Sequence, residues 1–273
     1  MSRTARGLVR NAALLVGAAL ALTPLFWMVS ASFMRPGEAS GFPPPWLPSR
    51  PILGNYRDLF TRLSIGRALA NSLILSVGAT LGVLLVDSMA GYAFAKLRFR
   101  GRDRLFGLLL AALVIPAPVA MLPLFLMLRA AGLVNTYVGA ALPSLAGIIG
   151  IFLVRQFALS IPDELLEAAR LEGASELAIY RRIVLPLLRP VLATLAIITF
   201  LATWNDFVWP LVILTDDSRY TLPVALAGLV GEHSADIELM MAGAVLTVLP
   251  VLILFLLLQR QYVSGIMIGS VKE

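Results

Sequence analysis

Six long apolar segments constrain this chain more than any other feature. Crossing the roughly 30 Å hydrocarbon core of a bilayer takes about 20 apolar residues in a helix. Segments of suitable length occur at residues 12–33, 70–95, 105–128, 137–154, 191–214 and 239–258. A chain of 273 residues with 59% hydrophobic and 14% charged residues is too apolar to cover a soluble surface. The sequence therefore predicts an all-α polytopic membrane protein, with six transmembrane helices in a single transmembrane domain over residues 1–273.

The basic side chains predict the orientation of these spans. Cytoplasmic loops carry an excess of Lys and Arg. The basic residues assigned to the inside are Arg3, Arg6, Arg10, Lys96, Arg98, Arg100, Arg102, Arg104, Arg155, Arg170, Arg181, Arg182, Arg189, Arg260 and Lys272. This places both termini inside and leaves two long outer loops, residues 34–69 and 215–238. The basic pI near 10.2 then follows from membrane topology and does not indicate nucleic acid as a partner.

Several classes of site are excluded by what the sequence lacks. The chain has no cysteine and a single histidine, His233, so thiolate and His-based metal sites are not expected. Neither Lys96 nor Lys272 follows a GxxxxG segment, so no Walker A loop is present. We expect a protein that is not an enzyme and holds no cofactor, with any ATP hydrolysis on a separate subunit. A self-sufficient secondary transporter or channel is the alternative, because proline-broken spans suit either kind of transporter.

A charged segment between the fourth and fifth spans, residues 160–190, predicts two short helices joined at a glycine. Ser160 begins an S-x-x-D sequence that is typical of a capping box. Gly173 is a natural helix stop, because glycine adopts a left-handed conformation without steric penalty. A second helix is expected from near Ser175 to the residue before Pro186.

The residues of this segment leave two interpretations open. An amphipathic pair of helices could lie among lipid headgroups, with Arg181 and Arg182 reaching phosphate. It could equally dock a protein partner, since the small side chains of Ala168 and Ala169 allow close approach and Glu167 offers a carboxylate.

The same segment resembles the EAA loop of permease subunits in binding-protein-dependent ABC importers. The residues that carry the resemblance are Glu167, Ala168, Ala169, Gly173, Ile183, Leu185 and Pro186. Further segments, among them "TPLFWMVSASF", "AGYAFAKLRFRGR", "TWNDF" and "YTLPVAL", resemble the carbohydrate branch, including the smaller permease of maltose-type transporters. The resemblance covers nearly the whole chain. Glu172 departs from it mildly, because the family usually has Asp there, and Asp87 is not part of the pattern.

The resemblance implies that residues 160–190 form a coupling loop that docks in a cleft of a separate ATP-binding subunit. Glu167 would then pair with a basic residue of that subunit, and Gly173 would set the angle between the two helices. The implied partners are a dimer of ATP-binding subunits, a second permease of similar fold and an extracytoplasmic substrate-binding protein. The chain would form half of the pathway for a sugar or polyol in the plasma (inner) membrane of a prokaryote.

Four polar or aromatic residues are candidates for lining that pathway. Asp87 lies within the second span, and Trp204, Asn205 and Asp206 lie within the fifth. Ionisable residues at membrane depth usually face a cavity or another helix. A hydrogen bond between helices is the alternative for Asp87, and an interfacial aromatic belt is the alternative for Trp204 and its neighbours.

Two further contacts are implied by the resemblance alone. The second outer loop would meet the substrate-binding protein through Tyr220, Gly228, Gly231 and Glu232. The C-terminal tail, with Gly265 and Gly269, would contact the ATP-binding subunits.

Overall fold

The computed structural model describes residues 3–61, 64–232 and 236–270, without the side chains of residues 3–6, 8, 9, 229–232 and 258–270. These described residues form helices and no strand. The α-helices are α1 (Arg3–Ala31), α2 (Gly54–Thr61), α3 (Ile65–Lys96), α4 (Arg102–Ala111), α5 (Ala117–Ala130), α6 (Tyr137–Ala141), α7 (Ile148–Leu159), α8 (Asp163–Leu171), α9 (Glu176–Ile179), α10 (Leu185–Leu187), α11 (Arg189–Trp204), α12 (Val208–Ile213), α13 (Leu222–Glu232) and α14 (Ile237–Ser270). Shorter turns of 3-10 type cover Ala112–Val114, Leu142–Ser144 and Asp217–Arg219, and a π-helical turn covers Tyr180–Val184.

Three helices are long and apolar enough to cross a membrane unaided. They are Arg10–Ala31 of α1, the whole of α3, and Ile237–Leu257 of α14, with mean hydropathies of 2.1, 2.0 and 2.6. Three helix pairs meet the same criterion jointly but are bent: Arg102–Val114 with Ala117–Ala130 by 108°, Tyr137–Ser144 with Ile148–Leu159 by 49°, and Glu176–Leu187 with Arg189–Trp204 by 77°. The all-helical membrane fold is thereby confirmed, while the count of six spans and their orientation stay predictions.

The helix break in the predicted third span follows from proline chemistry. Sequence reasoning treated residues 105–128 as one span, but the helical turns end at Val114 and resume at Ala117. Ile115 is extended, with φ −78° and ψ 116°, because the ring of Pro116 disfavours helical geometry in the residue before it. The 108° bend therefore occurs where the sequence has its first proline of this segment.

The two predicted outer loops are partly helical. The first contains α2, and the second contains α13, whose sequence "LPVALAGLVGE" combines good helix formers with a proline in the first turn. Residues 215–238, expected as an outer connection between spans, thus contain a helix over Leu222–Glu232. The sixth span, expected at residues 239–258, lies within α14, whose apolar part covers Ile237–Leu257 and whose helix continues to Ser270.

The chain divides into two compact units. One unit comprises Met1–Arg67 and Leu222–Pro250. Within it, the proline-rich segment after α1 is fixed to that helix by side-chain hydrogen bonds. Trp27 Nε1 donates to the Pro45 carbonyl at 3.1 Å, and Ser30 Oγ donates to the Trp46 carbonyl at 2.6 Å.

The other unit comprises Ala68–Thr221 and Val251–Glu273, and its core lies where α3 meets α7. The two helices approach closely at Gly91 of α3, because this residue has no side chain. A Cβ at position 91 would lie 2.6 Å from Val154 Cγ1 and 3.0 Å from the Arg155 nitrogen. The absence of a side chain at Gly91 therefore sets the spacing of two helices that carry the functional segments described below.

We predict that Gly91→Leu destabilises the protein by about 1–3 kcal/mol, because the added side chain forces α3 and α7 apart. Gly78→Leu in the same helix is the control, since a Cβ there meets no atom within 4 Å. Thermal unfolding of the detergent-solubilised protein measures the difference. Equal midpoints for the two variants would contradict the close packing at Gly91.

Candidate functional site: the α8–α10 elbow and the helix breaks

The segment from α8 to α10, residues 163–187, forms the two-part structure expected from the sequence and is here called the elbow. Its first helix does not begin with the predicted capping box. Ser160 ends α7, and its Oγ donates to the Phe157 carbonyl at 2.7 Å. Pro162 is the N-cap of α8, in an extended conformation, and makes no side-chain cap. Asp163 and Glu164 then occupy the first turn, where the helix dipole favours negative charge.

Gly173 ends α8 as the sequence predicts. Its φ of 84° is in the left-handed region that favours glycine. The Gly173 nitrogen donates to the Arg170 carbonyl, and the Ala174 nitrogen donates to the Ala169 carbonyl, both at 3.0 Å. This pair of bonds is the Schellman arrangement, which satisfies carbonyl groups that the helix end would otherwise leave without partners.

The second helix of the elbow begins as predicted but continues past its predicted end. Ser175 Oγ accepts a hydrogen bond from the Ala178 nitrogen and caps α9. The helix then widens into the π-helical turn and continues as α10 through Pro186 to Leu187. Pro186 lies in the first turn of α10, a position where proline is tolerated. The chain bends by 77° after Leu187, before α11.

The predicted docking residues divide into an exposed group and a half-buried group. Glu167, Ala168, Glu172 and Gly173 are exposed, while Ala169, Ile183, Leu185 and Pro186 are half-buried. Leu166 is buried in the core, so α8 presents its acidic side outward. A groove of about 830 Å³ lies beside it, lined by residues that include Lys96, Arg98, Arg102, Asp163 and Glu167.

Polar contacts that sequence reasoning missed fix the elbow to α3. Glu176 accepts from Arg170 Nε at 2.7 Å and from the Tyr92 hydroxyl at 2.9 Å. Lys96 Nζ donates to Asp163 at 2.6 Å. The hydrogen bond and the positive charge of Lys96 hold the pKa of Asp163 below its usual range. The four-residue spacing of Tyr92 and Lys96 on a helix was the available sequence signal.

Asp87 joins two membrane helices. Its side chain is fully buried, and its Oδ1 accepts from the Gly147 nitrogen, 3.1 Å away, at the N-terminus of α7. Asp87 Oδ2 lies so close to Gly150 that a Cβ there would overlap it, and it has no hydrogen-bond partner among the described residues. The hydrogen bond between helices, which was the alternative for Asp87, is thus present. Its pathway-lining role stays a prediction.

The other three pathway candidates surround a helix break that sequence reasoning missed. The predicted span 191–214 is interrupted, because α11 ends at Trp204 and α12 begins at Val208. Asp206 Oδ1 accepts from the Trp209 nitrogen at 3.3 Å, in the first turn of α12, whose N-cap is Phe207. Asn205 is exposed, whereas Trp204 is buried and stacks on Phe200 with ring centroids 5.7 Å apart.

The structure describes only some of the residues predicted to contact other subunits. Tyr220 is half-buried, and its carbonyl accepts from Asn71 Nδ2 at 2.9 Å. Gly228 is exposed on α13. Gly231 and Glu232 end the same helix, and Gly265 and Gly269 belong to the last part of α14. The structure does not describe the side chains around these four residues. His233 lies outside the described residues.

Apolar helices that are broken in this way occur in membrane transporters. A family profile described as "Binding-protein-dependent transport system inner membrane component" matches residues 87–267. The chain belongs to this family.

Similar proteins agree with this membership. The arabinooligosaccharides transport system permease AraQ of Halalkalibacterium halodurans is 39% identical over 256 residues, which are 93% of this chain and 92% of AraQ. The lactose transport system permease LacG of Rhizobium radiobacter is 31% identical over 97% of this chain and 96% of its own.

A crystal structure of a bacterial ABC transporter involved in the import of the acidic polysaccharide alginate contains a chain that matches with a TM-score of 0.81. The two chains are 27% identical, and the match covers 95% of this chain and 98% of the other. The prediction of a transmembrane permease subunit of an ATP-driven importer is confirmed by these findings together.

We predict that Asp87→Ala lowers the free energy of unfolding by about 1–3 kcal/mol, because the Gly147 N–H loses its acceptor in a dry site. Asp87→Asn retains an oxygen that can accept this bond and is expected to cost less. Thermal unfolding of the purified protein compares them. Asp87→Ala unfolding at the parental temperature would show that the bond contributes nothing to stability.

Proposed function

We propose that this permease forms one half of a pathway for a sugar or polyol, and that its elbow receives the movement of a separate ATP-binding subunit. The second half would be a permease of similar fold, and an extracytoplasmic binding protein would deliver the substrate. The membrane would be the inner membrane of a prokaryote, with the elbow on its cytoplasmic side.

The acidic outer surface of α8 is the observation that carries this proposal. Glu164, Glu167 and Glu172 are exposed, and Arg170 is engaged by Glu176. Helices that lie on a membrane are typically rich in Lys and Arg, and the anionic lipids of the cytoplasmic leaflet repel carboxylates. A basic cleft on a protein partner is therefore the better match for this surface.

Exposed apolar side chains on the elbow support the same conclusion. Leu171 is 90% exposed and Leu177 is 59% exposed, at the end of α8 and in α9 respectively. Ala168 lies between the carboxylates and allows a partner backbone to approach. Apolar side chains surrounded by charge are a common feature of protein–protein contacts.

We predict that Glu167→Lys reduces substrate uptake at least tenfold, because it reverses the charge offered to the partner. Gly173→Pro is expected to have the same effect, since proline cannot adopt a φ of 84°. Uptake and ATP hydrolysis are measured together in proteoliposomes containing the complete transporter.

Glu167→Gln, which keeps the shape and removes the charge, separates the electrostatic effect from a steric one and is expected to give intermediate uptake. Uptake by Glu167→Lys at the parental rate would reject the docking of the elbow. Equal amounts of each variant in the membrane fraction serve as the control for insertion.

The sugar substrate is proposed from the relatives, whose names include arabinooligosaccharides, lactose and an alginate importer. The break between α11 and α12 is a suitable place for contact with such a molecule. Non-helical backbone at membrane depth is tolerated where it is buried in protein or lines a water-filled cavity. Asn205 is exposed there, and an amide side chain can hydrogen-bond sugar hydroxyls in both directions.

We predict that Asn205→Leu raises the KM for uptake of an arabinooligosaccharide about threefold to tenfold, because the substrate loses a hydrogen-bonding group. Leu211→Ala, an exposed apolar position on α12, is the control and should leave KM unchanged. An unchanged KM in Asn205→Leu would place Asn205 outside the pathway.

The remaining proposed contacts rest on the resemblance to permeases of binding-protein-dependent importers. Tyr220, Gly228, Gly231 and Glu232 would meet the substrate-binding protein outside the membrane. Gly265 and Gly269 would let the last turns of α14 approach the ATP-binding subunits closely.

A further inference from the structure

Three polar residues recur at every fourth position near the end of α3: Ser88, Tyr92 and Lys96. Residues four apart lie on the same face of a helix, and eight residues rise by about 12 Å. The three side chains therefore form one row along α3, here called the α3 row.

Two members of the α3 row bind the second helix of the elbow. The Tyr92 hydroxyl donates to Glu176 Oε2 at 2.9 Å, at the start of α9. Ser88 Oγ and the Tyr180 hydroxyl are 2.6 Å apart, at the start of the π-helical turn. The rings of Tyr92 and Tyr180 also pack together, with centroids 5.8 Å apart. The row thus binds this helix at two successive turns.

Lys96 binds the first helix of the elbow. Its Nζ donates to the Ile161 carbonyl and to Asp163 Oδ1, both at 2.6 Å, and lies 3.5 Å from the Leu159 carbonyl. The Lys96 side chain is 5% exposed, whereas the Asp163 side chain is 72% exposed, so a buried ammonium group meets a carboxylate at the protein surface. All three oxygens belong to the junction between α7 and α8.

Apolar contacts support these polar ones. Tyr92, Ile161, Leu166 and Tyr180 belong to one buried cluster. Glu176 additionally accepts from Arg170 Nε, so a single carboxylate ties α8, α9 and α3 together. The two helices of the elbow are therefore held to each other and to the row at once.

The covalent connections of the elbow are less direct than these contacts. Ser160 to Pro162 separate α7 from α8, and a 77° bend separates α10 from α11. In contrast, α3 is one unbroken helix of 32 residues. Along the chain, the elbow is connected through three non-helical residues at one end and a 77° bend at the other. Through the α3 row it is connected to a continuous helix.

We propose that Ser88, Tyr92 and Lys96 are positioning residues that pass displacement of the elbow into α3 and so couple ATP hydrolysis to opening of the pathway. This inference rests on the proposed docking of the elbow to an ATP-binding subunit and adds the route by which its movement enters the membrane.

The test is the number of ATP molecules hydrolysed per substrate molecule imported by the complete transporter in proteoliposomes. Tyr92→Phe keeps the ring and removes one hydroxyl. We expect this ratio to rise about threefold to tenfold, with ATP hydrolysis maintained and uptake reduced. Tyr56→Phe is the matched control, since it also removes one hydroxyl, bonded to Ser32 Oγ at 2.8 Å, and should leave the ratio unchanged.

Lys96→Met and Lys96→Arg extend the test. Methionine retains the apolar stem and loses all three donors, so it should raise the ratio at least as much as Tyr92→Phe. Arginine restores the charge, but its planar donors match the junction poorly, and we expect partial rescue.

A spin-label measurement detects the movement itself. The chain has no cysteine, so labels can be placed at the exposed positions Leu187 on the elbow and Leu81 on α3. The distance between them should stay constant through the ATP cycle in the parent and change in Tyr92→Phe. A distance that changes in the parent, or a parental ATP ratio in both Tyr92→Phe and Lys96→Met, overturns the proposal.

The outcome also separates this inference from the proposed function. If Glu167→Lys raises the ATP ratio while the α3 row variants do not, the docking stands and the route through α3 is rejected. If Glu167→Lys leaves uptake unchanged, the docking itself is rejected.

Discussion

The hydrocarbon core of a membrane supplies no hydrogen-bond partners, and each interruption of a helix within it must be satisfied by the protein. This constraint explains which polar residues the spans can hold. Asp87 accepts the Gly147 N–H where the fourth span is broken, and Asp206 accepts the Trp209 N–H where the fifth is broken. Both acidic residues that sequence reasoning considered for the pathway thus have a structural role at a helix N-terminus.

In the elbow, side chains join helices that are separate in the chain, namely α3, α8 and α9. Its internal geometry is fixed by Gly173 and by Ser175, and its attachment is fixed by Glu176 and Lys96. The outer surface of the elbow takes no part in these contacts, and its residues Glu167 and Ala168 are exposed to a partner. A rigid element with one anchored and one exposed face suits the transfer of small displacements between subunits.

The features of the elbow and of the spans that could be predicted are those that depend on neighbouring residues in the sequence. Gly173 was predictable because a helix stop of this kind depends on one residue and its immediate neighbours. Ser160 misled the prediction, since the same S-x-x-D letters occur where one helix ends and the next begins after Pro162. The break at Asn205 did have a local signal, since Asp206 accepts the N–H of Trp209 three residues later. The continuation of the helix through Pro186 follows a π-helical turn, which had no such signal. The spacing of the α3 row can be seen in the sequence, but its partners lie 63 to 92 residues further along the chain.

The bond between Asp87 and Gly147 has a consequence for biogenesis. The two residues are separated by 60 positions, so α3 is synthesised well before its partner in α7. At about 5–20 residues per second, several seconds pass between them. A carboxylate costs roughly 2.5–3.5 kcal/mol at the centre of a membrane helix, and during that interval the Asp87 side chain has no N–H of Gly147 to accept. Insertion of α3 into the membrane therefore depends on its apolar side chains. Burial of the Asp87 side chain becomes favourable only once α7 packs beside α3.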